Sequence, residues 1–268
     1  MIRTSARSGI FILGCALLLP AAFVAPVRAQ ADEETAALLS EIDALAAMFR
    51  TYAPCPWIDT GEGEEAAFVY GDTKGIVHHY VSERGKLREK WKSFPLEGIV
   101  KGVFAEDLDG NGSPEIIAYT RSSRIYIWGT VKYELLWESV EISDRIETIQ
   151  AMVVADVDRD AQLELVVCAD NKIQYIDGVD YYIEKVGRDF VEPSVMLVAD
   201  VDNDLEKEII TNDGYILDTN TLNIEWANDG FGYPMSLFDL DNDGVLEIVG
   251  ESQGALRFWD VEDRREIW

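Results

Sequence analysis

The sequence predicts an all-β fold built from about five similar units of four short strands each. Short apolar runs separated by turns begin near Trp57 and continue to the C-terminus. An acidic loop recurs among them, and its first aspartate lies at positions 107, 156, 200 and 239, which are 49, 44 and 39 residues apart. Four strands per repeat at a period of about 40–50 residues are typical of β-propeller blades, so we predict a β-propeller of about five blades.

The units share one order of runs. A first run leads into the acidic loop at residues 103–107, 153–156, 196–200 and 235–239, and a second run follows it at residues 115–119, 164–168, 208–211 and 247–250. The first runs are almost continuously apolar, as expected for a sheet covered on both faces. A tryptophan recurs near the end of the fourth run, and this fixed position predicts packing between neighbouring blades: Trp91, Trp137, Trp226 and Trp268. Val186 occupies the matching place in one unit.

A fifth unit precedes these four and differs from them. Residues 66–70, 75–80 and 87–91 match the second, third and fourth runs, but no acidic loop and no obvious first run stand before them. We therefore predict five blades, with the first either degenerate or completed by residues 57–60. An incomplete first blade would leave a sheet edge that accepts a strand from a neighbouring molecule.

The N-terminus has the features of an export signal. Two arginines precede an apolar stretch at residues 9–27, and a small-residue cleavage site ends at Ala29. We predict a signal peptide at residues 1–29 and a secreted, periplasmic or cell-surface protein with no membrane insertion after the leader is removed. Lipid attachment at Cys15 is the alternative.

An amphipathic segment lies between the leader and the strands. Residues 30–52 have apolar side chains near helical spacing, and Pro54 and Pro56 end the pattern. We predict an N-terminal α-helix and linker over residues 30–56, followed by the propeller over residues 57–268. The helix either packs on the propeller or binds a partner.

The chain is strongly acidic, with 23 Lys and Arg against 50 Asp and Glu and a formal net charge of −27. Such a chain repels phosphate backbones and anionic lipid surfaces, which argues against nucleic-acid binding. Two cysteines, Cys55 and Cys168, follow the leader. They either form a disulfide, as export permits, or Cys168 is a small apolar residue buried in its strand.

The four acidic loops place oxygen-bearing side chains at loop positions 1, 3, 5 and 9. This alternation suits a hard cation that takes six or more oxygen ligands from a tightly turned loop. The loops offer no nitrogen or sulfur, so Ca²⁺ fits best, with up to four ions per chain. The candidate ligands are Asp107, Asp109, Asn111 and Glu115; Asp156, Asp158, Asp160 and Glu164; Asp200, Asp202, Asp204 and Glu208; and Asp239, Asp241, Asp243 and Glu247.

Over residues 100–268 these loops resemble the calcium loops of the FG-GAP/VCBS repeat family, the integrin alpha-type β-propellers. The resemblance implies Ca²⁺ bound between the first two strands of a blade, with the backbone carbonyl of position 7 as a further ligand. That position holds Ser113, Gln162, Glu206 and Val245. Position 6 is usually glycine in the family, but it is Gly112, Ala161, Leu205 and Gly244 here, so we expect weaker or distorted binding in the middle two loops.

The family's functions are mainly adhesion, ligand binding and scaffolding, and the residues here favour the same class. The only two histidines, His78 and His79, are adjacent in a strand and would point to opposite faces. We therefore predict no catalytic activity and a structural role for calcium. The expected partner is a protein or glycan, and the candidate contact residues are Tyr181, Tyr182, Phe231 and Tyr233. A lectin, a polysaccharide-degrading enzyme and a self-assembling extracellular subunit are the alternatives.

Overall fold

The computed structural model describes residues 57–58, 67–83, 86–139 and 146–268. All of them lie in the compact unit Met48–Trp268. The predicted signal peptide, the predicted helix at residues 30–52, and Cys55 lie outside the described residues. Within the described part, no helix has the length and hydropathy needed to cross a membrane.

Twenty short strands account for most of the described chain. They are β1 (Trp57–Ile58), β2 (Ala67–Gly71), β3 (Val77–Glu83), β4 (Lys86–Lys92), β5 (Val100–Glu106), β6 (Glu115–Thr120), β7 (Ile125–Gly129), β8 (Leu135–Glu138), β9 (Ile149–Ala155), β10 (Glu164–Ala169), β11 (Lys172–Ile176), β12 (Ile183–Val186), β13 (Met196–Ala199), β14 (Glu208–Thr211), β15 (Tyr215–Asp218), β16 (Ile224–Ala227), β17 (Met235–Phe238), β18 (Glu247–Ser252), β19 (Ala255–Asp260) and β20 (Arg265–Glu266).

The strands form five four-stranded antiparallel sheets, and each sheet takes four consecutive strands in chain order. We number them from the first sheet (β1–β4) to the fifth sheet (β17–β20). The predicted all-β fold with five units of four strands is confirmed. The first sheet has a first strand, because Trp57 pairs with Phe68 and Ile58 pairs with Ala67. The prediction that residues near 57–60 complete the first unit is therefore correct.

The second strand of each sheet determines how the sheets stack. Every residue of β6, β10 and β14 is buried. Successive side chains of a strand point to opposite faces, so a strand buried at every residue needs a covering layer on both sides. Ile116 packs between the first and second sheets, whereas its neighbour Ile117 packs between the second and third.

Four hydrophobic clusters join the sheets in chain order. Each lies between two consecutive sheets, from the first and second to the fourth and fifth. Within the described ranges, no cluster of buried residues joins the fifth sheet to the first. The protein therefore has a divided core, in which each sheet is held by its sequence neighbours.

Three of the recurring tryptophans pack between sheets as predicted. Trp91 stacks on Tyr133 at 5.1 Å between ring centroids, Trp137 stacks on Tyr181 at 5.2 Å, and Trp226 meets Phe231 edge-on at 5.3 Å. The prediction is wrong for Trp268, which is 71 % exposed. Trp268 follows the last strand of the fifth sheet, and its ring contacts the Phe258 ring of the same sheet, with centroids 5.2 Å apart.

Two of the four predicted contact residues are part of the core. Phe231 is fully buried, and its ring lies between those of Trp226 and Trp259. Tyr181 packs on Trp137 in the cluster between the second and third sheets. They follow turns, so their sequence context predicted exposure, but Trp137 of the second sheet covers Tyr181 and Trp259 of the fifth sheet covers Phe231. Tyr182 and Tyr233 are exposed as predicted, at 53 % and 66 %.

Cys168 is a free thiol in the middle of β10 and is fully buried. Its Sγ lies 3.7 Å from the carbonyl oxygen of Val191. Burial raises the pKa of the thiol to about 12, so it stays protonated. Of the two alternatives, the structure supports the small buried apolar residue.

We predict that Phe231→Ala destabilises the chain by about 3–5 kcal/mol, because it removes a buried ring between two tryptophans and leaves a cavity. Tyr233→Ala is the matched control, since Tyr233 is two residues away and exposed. It should change the free energy of unfolding by about 0.5 kcal/mol or less. Denaturant titration measures both. Similar losses in the two variants would contradict the assigned packing of Phe231.

Candidate metal centres

The four acidic loops occupy equivalent places in the second to fifth sheets. Loop 1 (residues 107–115), loop 2 (156–164), loop 3 (200–208) and loop 4 (239–247) each connect the first strand of a sheet to its second strand. The position-9 glutamate of each loop is also the first residue of the second strand. The loop is therefore anchored at one end to the most deeply buried strand of its sheet.

Each loop brings three carboxylates together. In loops 1, 2 and 3 these are the side chains at positions 1, 3 and 9, and in loop 4 they are those at positions 1, 3 and 5. In each set the three ligand atoms lie within 4.8 Å of one another. Asp160, Asp204 and Glu247 were predicted as ligands but lie outside these sets. Position 5 is Asn111 in loop 1, and its amide oxygen accepts a hydrogen bond from the Ser113 N–H at 2.9 Å.

The position-9 glutamate is held the same way in all four loops. Its Oε2 accepts a hydrogen bond from the backbone N–H of position 2, with N···O distances of 2.9, 2.9, 2.9 and 2.7 Å from loop 1 to loop 4. The four glutamates are only 3–5 % exposed. A fixed oxygen that points into the loop from a buried position provides a rigid base for a cation site.

The electrostatics of the loops favour a bound cation. Burial, followed by the charges of Asp109 and Asp107, raises the pKa of Glu115 to about 7. Glu164 and Glu208 also reach about 7, first through burial and then through the aspartates of their own loops. A divalent cation among these groups would replace mutual repulsion with attraction.

An unsatisfied oxygen in loop 3 agrees with this fit. The Oδ1 atom of Asp200 is buried and has no hydrogen-bond partner among the described residues. A buried carboxylate oxygen without a donor is costly unless something else binds it. The donor set is entirely oxygen, so the residues present fit a hard divalent cation.

The loop backbone is turned by hydrogen bonds to its own side chains. The N–H of position 7 donates to the side-chain oxygen of position 5 in every loop, at 2.7–2.9 Å. In loops 1, 3 and 4 the N–H of position 6 donates to the position-1 aspartate at 2.7–3.1 Å. In loop 2 the position-1 aspartate instead accepts from Arg159 at position 4. Loop 2 is thus turned differently at its first carboxylate.

The predicted sharp turn at position 6 is present in all four loops. Gly112 and Gly244 have φ angles of 88° and 96°, and Ala161 and Leu205 have 71° and 75°. The two non-glycine residues adopt the left-handed conformation at a cost of roughly 1–3 kcal/mol each. Alanine or leucine in place of glycine therefore adds strain at position 6, but the left-handed turn at that position is kept.

A second left-handed position was missed in the sequence. Position 4 also has positive φ, and it is Gly110, Arg159, Asn203 and Asn242 in the four loops, at 61–69°. Glycine and asparagine are the residues that tolerate this conformation best, so three of the four loops did carry a local signal. Arg159 did not.

Loops 2 and 3 are joined by direct contacts that the sequence did not predict. The guanidinium of Arg159 donates to the carbonyl oxygen of Leu205 and lies 3.6 Å from the Glu206 carboxylate. Lys207 of loop 3 also contacts loop 2, because its Nζ lies 2.6 Å from the carbonyl oxygen of Asp156. The two loops without a turn glycine are therefore the two that hold each other in place.

The histidines form no metal or catalytic centre with these loops. His79 is buried, with its Nδ1 2.9 Å from the Tyr133 hydroxyl, whereas His78 stacks on Tyr70 and contacts Glu89 at 2.7 Å. The prediction that they point to opposite faces is confirmed. No group of metal-ligating side chains found within the described ranges includes either histidine.

Comparisons with known proteins identify structures of similar fold, but they do not identify a family. No protein-family model matches the chain, and no curated protein matches it. Similar solved structures include Saccharomyces cerevisiae Sqt1 (14 % identity, TM-score 0.54), BBS1N in complex with ARL6DN (14 %, 0.57) and the V. cholerae biofilm matrix protein Bap1 (16 %, 0.56).

These alignments each cover 81 % of the present chain. The chain spans 61 % of Sqt1, 67 % of BBS1N and 39 % of Bap1. At this level of identity the likeness shows the fold alone. What the chain does must be argued from its own loops and surfaces.

We predict opposite effects for two substitutions at position 6. Gly112→Ala should destabilise the chain by about 1–2 kcal/mol, because alanine is strained at positive φ. A Cβ added at Gly112 meets no atom within 4 Å, so this substitution measures only the energetic cost of the backbone conformation. Ala161→Gly should stabilise by up to about 1 kcal/mol, since relief of strain exceeds the added entropy of the unfolded chain. Denaturant titration in excess chelator measures both.

Ala255→Gly is the control for this pair. Ala255 is exposed and opens strand β19 with ordinary backbone angles, so glycine there should destabilise the chain. A loss of stability in Ala161→Gly similar to that in Ala255→Gly would show that loop 2 stores no backbone strain.

Proposed function

We propose that the chain is an exported, calcium-stabilised β-propeller of the FG-GAP/VCBS type that acts as a non-enzymatic binding, adhesion or scaffold module. The observation that carries this proposal is the fourfold repetition of one loop geometry. Four loops share a buried position-9 glutamate, a hydrogen bond that the position-7 N–H donates to the position-5 side chain, and left-handed turns at positions 4 and 6.

The arrangement of the sheets supports a propeller. Five similar sheets follow one another in chain order, and a hydrophobic cluster fills each space between them. The first strands of successive sheets lie side by side, as β1 does with β5, β5 with β9 and β9 with β13. Blades whose first strands converge on a common axis have this arrangement.

The donor chemistry supports calcium rather than a transition metal. Carboxylate, amide and backbone carbonyl oxygens suit Ca²⁺, and the loops contain no imidazole or thiolate. The side chains at positions 1, 3 and 9 would hold the ion in loops 1 to 3, and those at positions 1, 3 and 5 would hold it in loop 4. When bound, Ca²⁺ would neutralise part of the charge of each loop. The chain's own residues fix the loop path around it.

A structural role for calcium leaves recognition to other surfaces. Tyr182 and Tyr233 remain as exposed aromatic contact candidates, while Phe231 and Tyr181 do not. We propose a protein or glycan partner at such surfaces and no nucleic acid, because the net charge of −27 repels polyanions. The predicted N-terminal leader supports a secreted, periplasmic or cell-surface location.

A second candidate function is carbohydrate recognition or cleavage, and one cleft favours it. The cleft lies between the fourth and fifth sheets and is lined by Glu225, Trp226, Glu262 and Arg264 beside the loop-3 residues Asp202 and Glu208. Burial, followed by the charge of Asp218, raises the pKa of Glu225. Two carboxylates outside the proposed calcium ligands and an indole ring are the groups that a sugar site needs.

We predict that calcium removal lowers the melting temperature of the chain. The folded state has the loop geometry and the unfolded state lacks it, so each independent site adds about 2.7 kcal/mol at 100 times its dissociation constant. Differential scanning calorimetry in calcium and in excess chelator measures the shift. Isothermal titration should find up to four ions per chain.

Magnesium is the control, because it prefers six-fold octahedral sites that keep several waters. It should restore less stability than calcium at equal concentration. A melting temperature that is the same in calcium and in chelator would contradict the calcium proposal.

We predict no turnover of polysaccharides by the purified chain. Its two histidines sit outside the loops and lie apart from any recognisable catalytic arrangement, and the loop carboxylates are assigned to calcium. A panel of acidic and neutral polysaccharides, assayed by reducing-end release, measures this. Turnover that is abolished by Glu225→Gln or Glu262→Gln, with an unchanged calcium-dependent melt, would replace the leading proposal with the carbohydrate-active candidate.

A further inference from the structure

Loops 2 and 3 carry the only basic residues of the four acidic loops, and each of these residues contacts the other loop. Arg159 is position 4 of loop 2, and its guanidinium donates a hydrogen bond to the backbone carbonyl of Leu205, at position 6 of loop 3. Lys207 is position 8 of loop 3, and its Nζ lies 2.6 Å from the carbonyl oxygen of Asp156, at position 1 of loop 2. The contact between the two loops therefore runs in both directions.

Both contacts involve segments that the proposed cation ligands enclose. In loop 3 the clustered carboxylates are those of Asp200, Asp202 and Glu208. Positions 6 to 8, which contact loop 2, lie between the last two of them. In loop 2 the carbonyl that accepts from Lys207 belongs to Asp156, whose carboxylate is in the loop 2 cluster. An ion that fixes the carboxylates of loop 3 would therefore also fix the groups that hold loop 2.

Loop 2 is the only one of the four loops with neither glycine nor asparagine at positions 4 and 6. Arg159 and Ala161 hold these positions with φ angles of 69° and 71°. Other residues are strained in this left-handed conformation and keep it only where their surroundings hold them. The carboxylate of Asp156 accepts from the Arg159 N–H at 2.7 Å, and loop 3 binds the far end of the Arg159 side chain. The path of loop 2 therefore depends on the order of loop 3.

The other neighbour of loop 2 makes no such contact. Loop 1 has Gly110 at position 4, and a Cβ added there would meet no atom within 4 Å. Among the described residues, no hydrogen bond or ion pair joins loop 2 to loop 1 or to loop 4. Loop 4 is bonded to loop 3 instead, through the Leu246 N–H and the Val201 carbonyl at 2.9 Å. Loop 1 is thus an unbonded neighbour of loop 2 and a natural comparison for loop 3.

The link between loops 2 and 3 depends on backbone contacts more than on charge. The Arg159 and Glu206 side chains, 3.6 Å apart, are 54 % and 42 % exposed, and an ion pair this exposed contributes little. Loop 2 has four acids and one base, and loop 3 has five acids and one base, so their formal charges are −3 and −4. A divalent cation in each would leave −1 and −2. A filled loop therefore stays negative and does not repel an ion from the other loop.

We propose that loops 2 and 3 bind divalent cations as a coupled pair, in which an ion in either loop raises the affinity of the other, whereas loop 1 binds independently. The inference rests on the proposed calcium sites. An ion in loop 3 orders Leu205 and Lys207, and these residues then hold Arg159 and Asp156 in the conformation that loop 2 needs. The ordering cost of loop 2 is thus reduced before its own ion arrives, and the effect is reciprocal because both ions share the same contacts.

Site-resolved calcium titration of the full chain tests the coupling. Position 6 is alanine in loop 2 and leucine in loop 3, so amide NMR signals from alanine-selective and leucine-selective labelling report the two loops separately. The variants Ala161→Gly and Leu205→Gly assign the two signals by removing them. Asp202→Asn neutralises a position-3 ligand of loop 3. It should raise the calcium concentration at the midpoint of loop 2 by about fivefold or more.

Asp109→Asn is the matched comparison, since it makes the same change at position 3 of loop 1, the unbonded neighbour of loop 2. It should remove the loop 1 site but shift the loop 2 midpoint by less than about twofold. Asp200→Asn and Asp107→Asn, at position 1, repeat the comparison with a second pair of substitutions. The Leu205 signal checks that each loop 3 variant has lost its ion.

The double variant with Arg159→Asn and Lys207→Met removes the contacts between the loops. Asparagine is the residue at position 4 of loops 3 and 4 and tolerates the left-handed turn, so the loop path is kept. In this background the shift caused by Asp202→Asn should fall below about twofold. Lys132→Met is the control for loss of a charge, because Lys132 is exposed in the turn between β7 and β8, and it should leave the shift unchanged.

The outcomes separate the coupling from the proposed function. Equal loop 2 shifts from Asp202→Asn and Asp109→Asn, or a shift that persists in the double variant, would overturn the coupling and leave the calcium sites in place. Tighter binding in loop 2 when loop 3 is empty would also overturn it, because the loops would then compete. If no position-6 signal responds to calcium, both the coupling and the proposed function are wrong. Thermal melts check that each variant is folded.

Discussion

The structure depends on one constraint, which is that the second strand of each of the three inner sheets is buried on both faces. Residues such as Ile116 and Ile117 point in opposite directions, and neither can be left in water without losing roughly 1.5–3 kcal/mol of burial. A single sheet of this kind is unstable alone, so it must have a sheet on each side. The order of the sheets and the four separate clusters between them follow from this requirement.

The acidic loops depend on the same strands. Each position-9 glutamate begins a buried second strand, so the loop's only deeply buried carboxylate is fixed by the packing of the sheets rather than by the loop itself. Each loop therefore holds several negative charges in a small volume, and the carboxylate at position 9 is removed from water. The fold tolerates the arrangement by turning the backbone N–H groups inward and, in our proposal, by binding Ca²⁺. Metal binding and sheet stacking would then stabilise one another, because the loops span the first two strands of each sheet.

An inner sheet uses both of its faces on its neighbours. Surfaces for a partner of the inner sheets must therefore lie on the loops or on the rims of the sheets. Recognition of an unrelated ligand would be left to exposed loop residues such as Tyr182 and Tyr233.

The sequence by itself determined the number of sheets, the order of strands and the position of the loops, because these depend on local periodicity and on turn chemistry repeated along the chain. It also determined the residues at positions 1, 3 and 9, since spacing within a nine-residue loop is a local property. Only the tertiary structure decided which aromatic residues are exposed. Phe231 and Tyr181 follow turns, yet adjacent sheets bury them, whereas Trp268 has a core-like sequence context and lies on the surface. Burial depends on what packs against a residue from a distant part of the chain, and no local pattern contains that information.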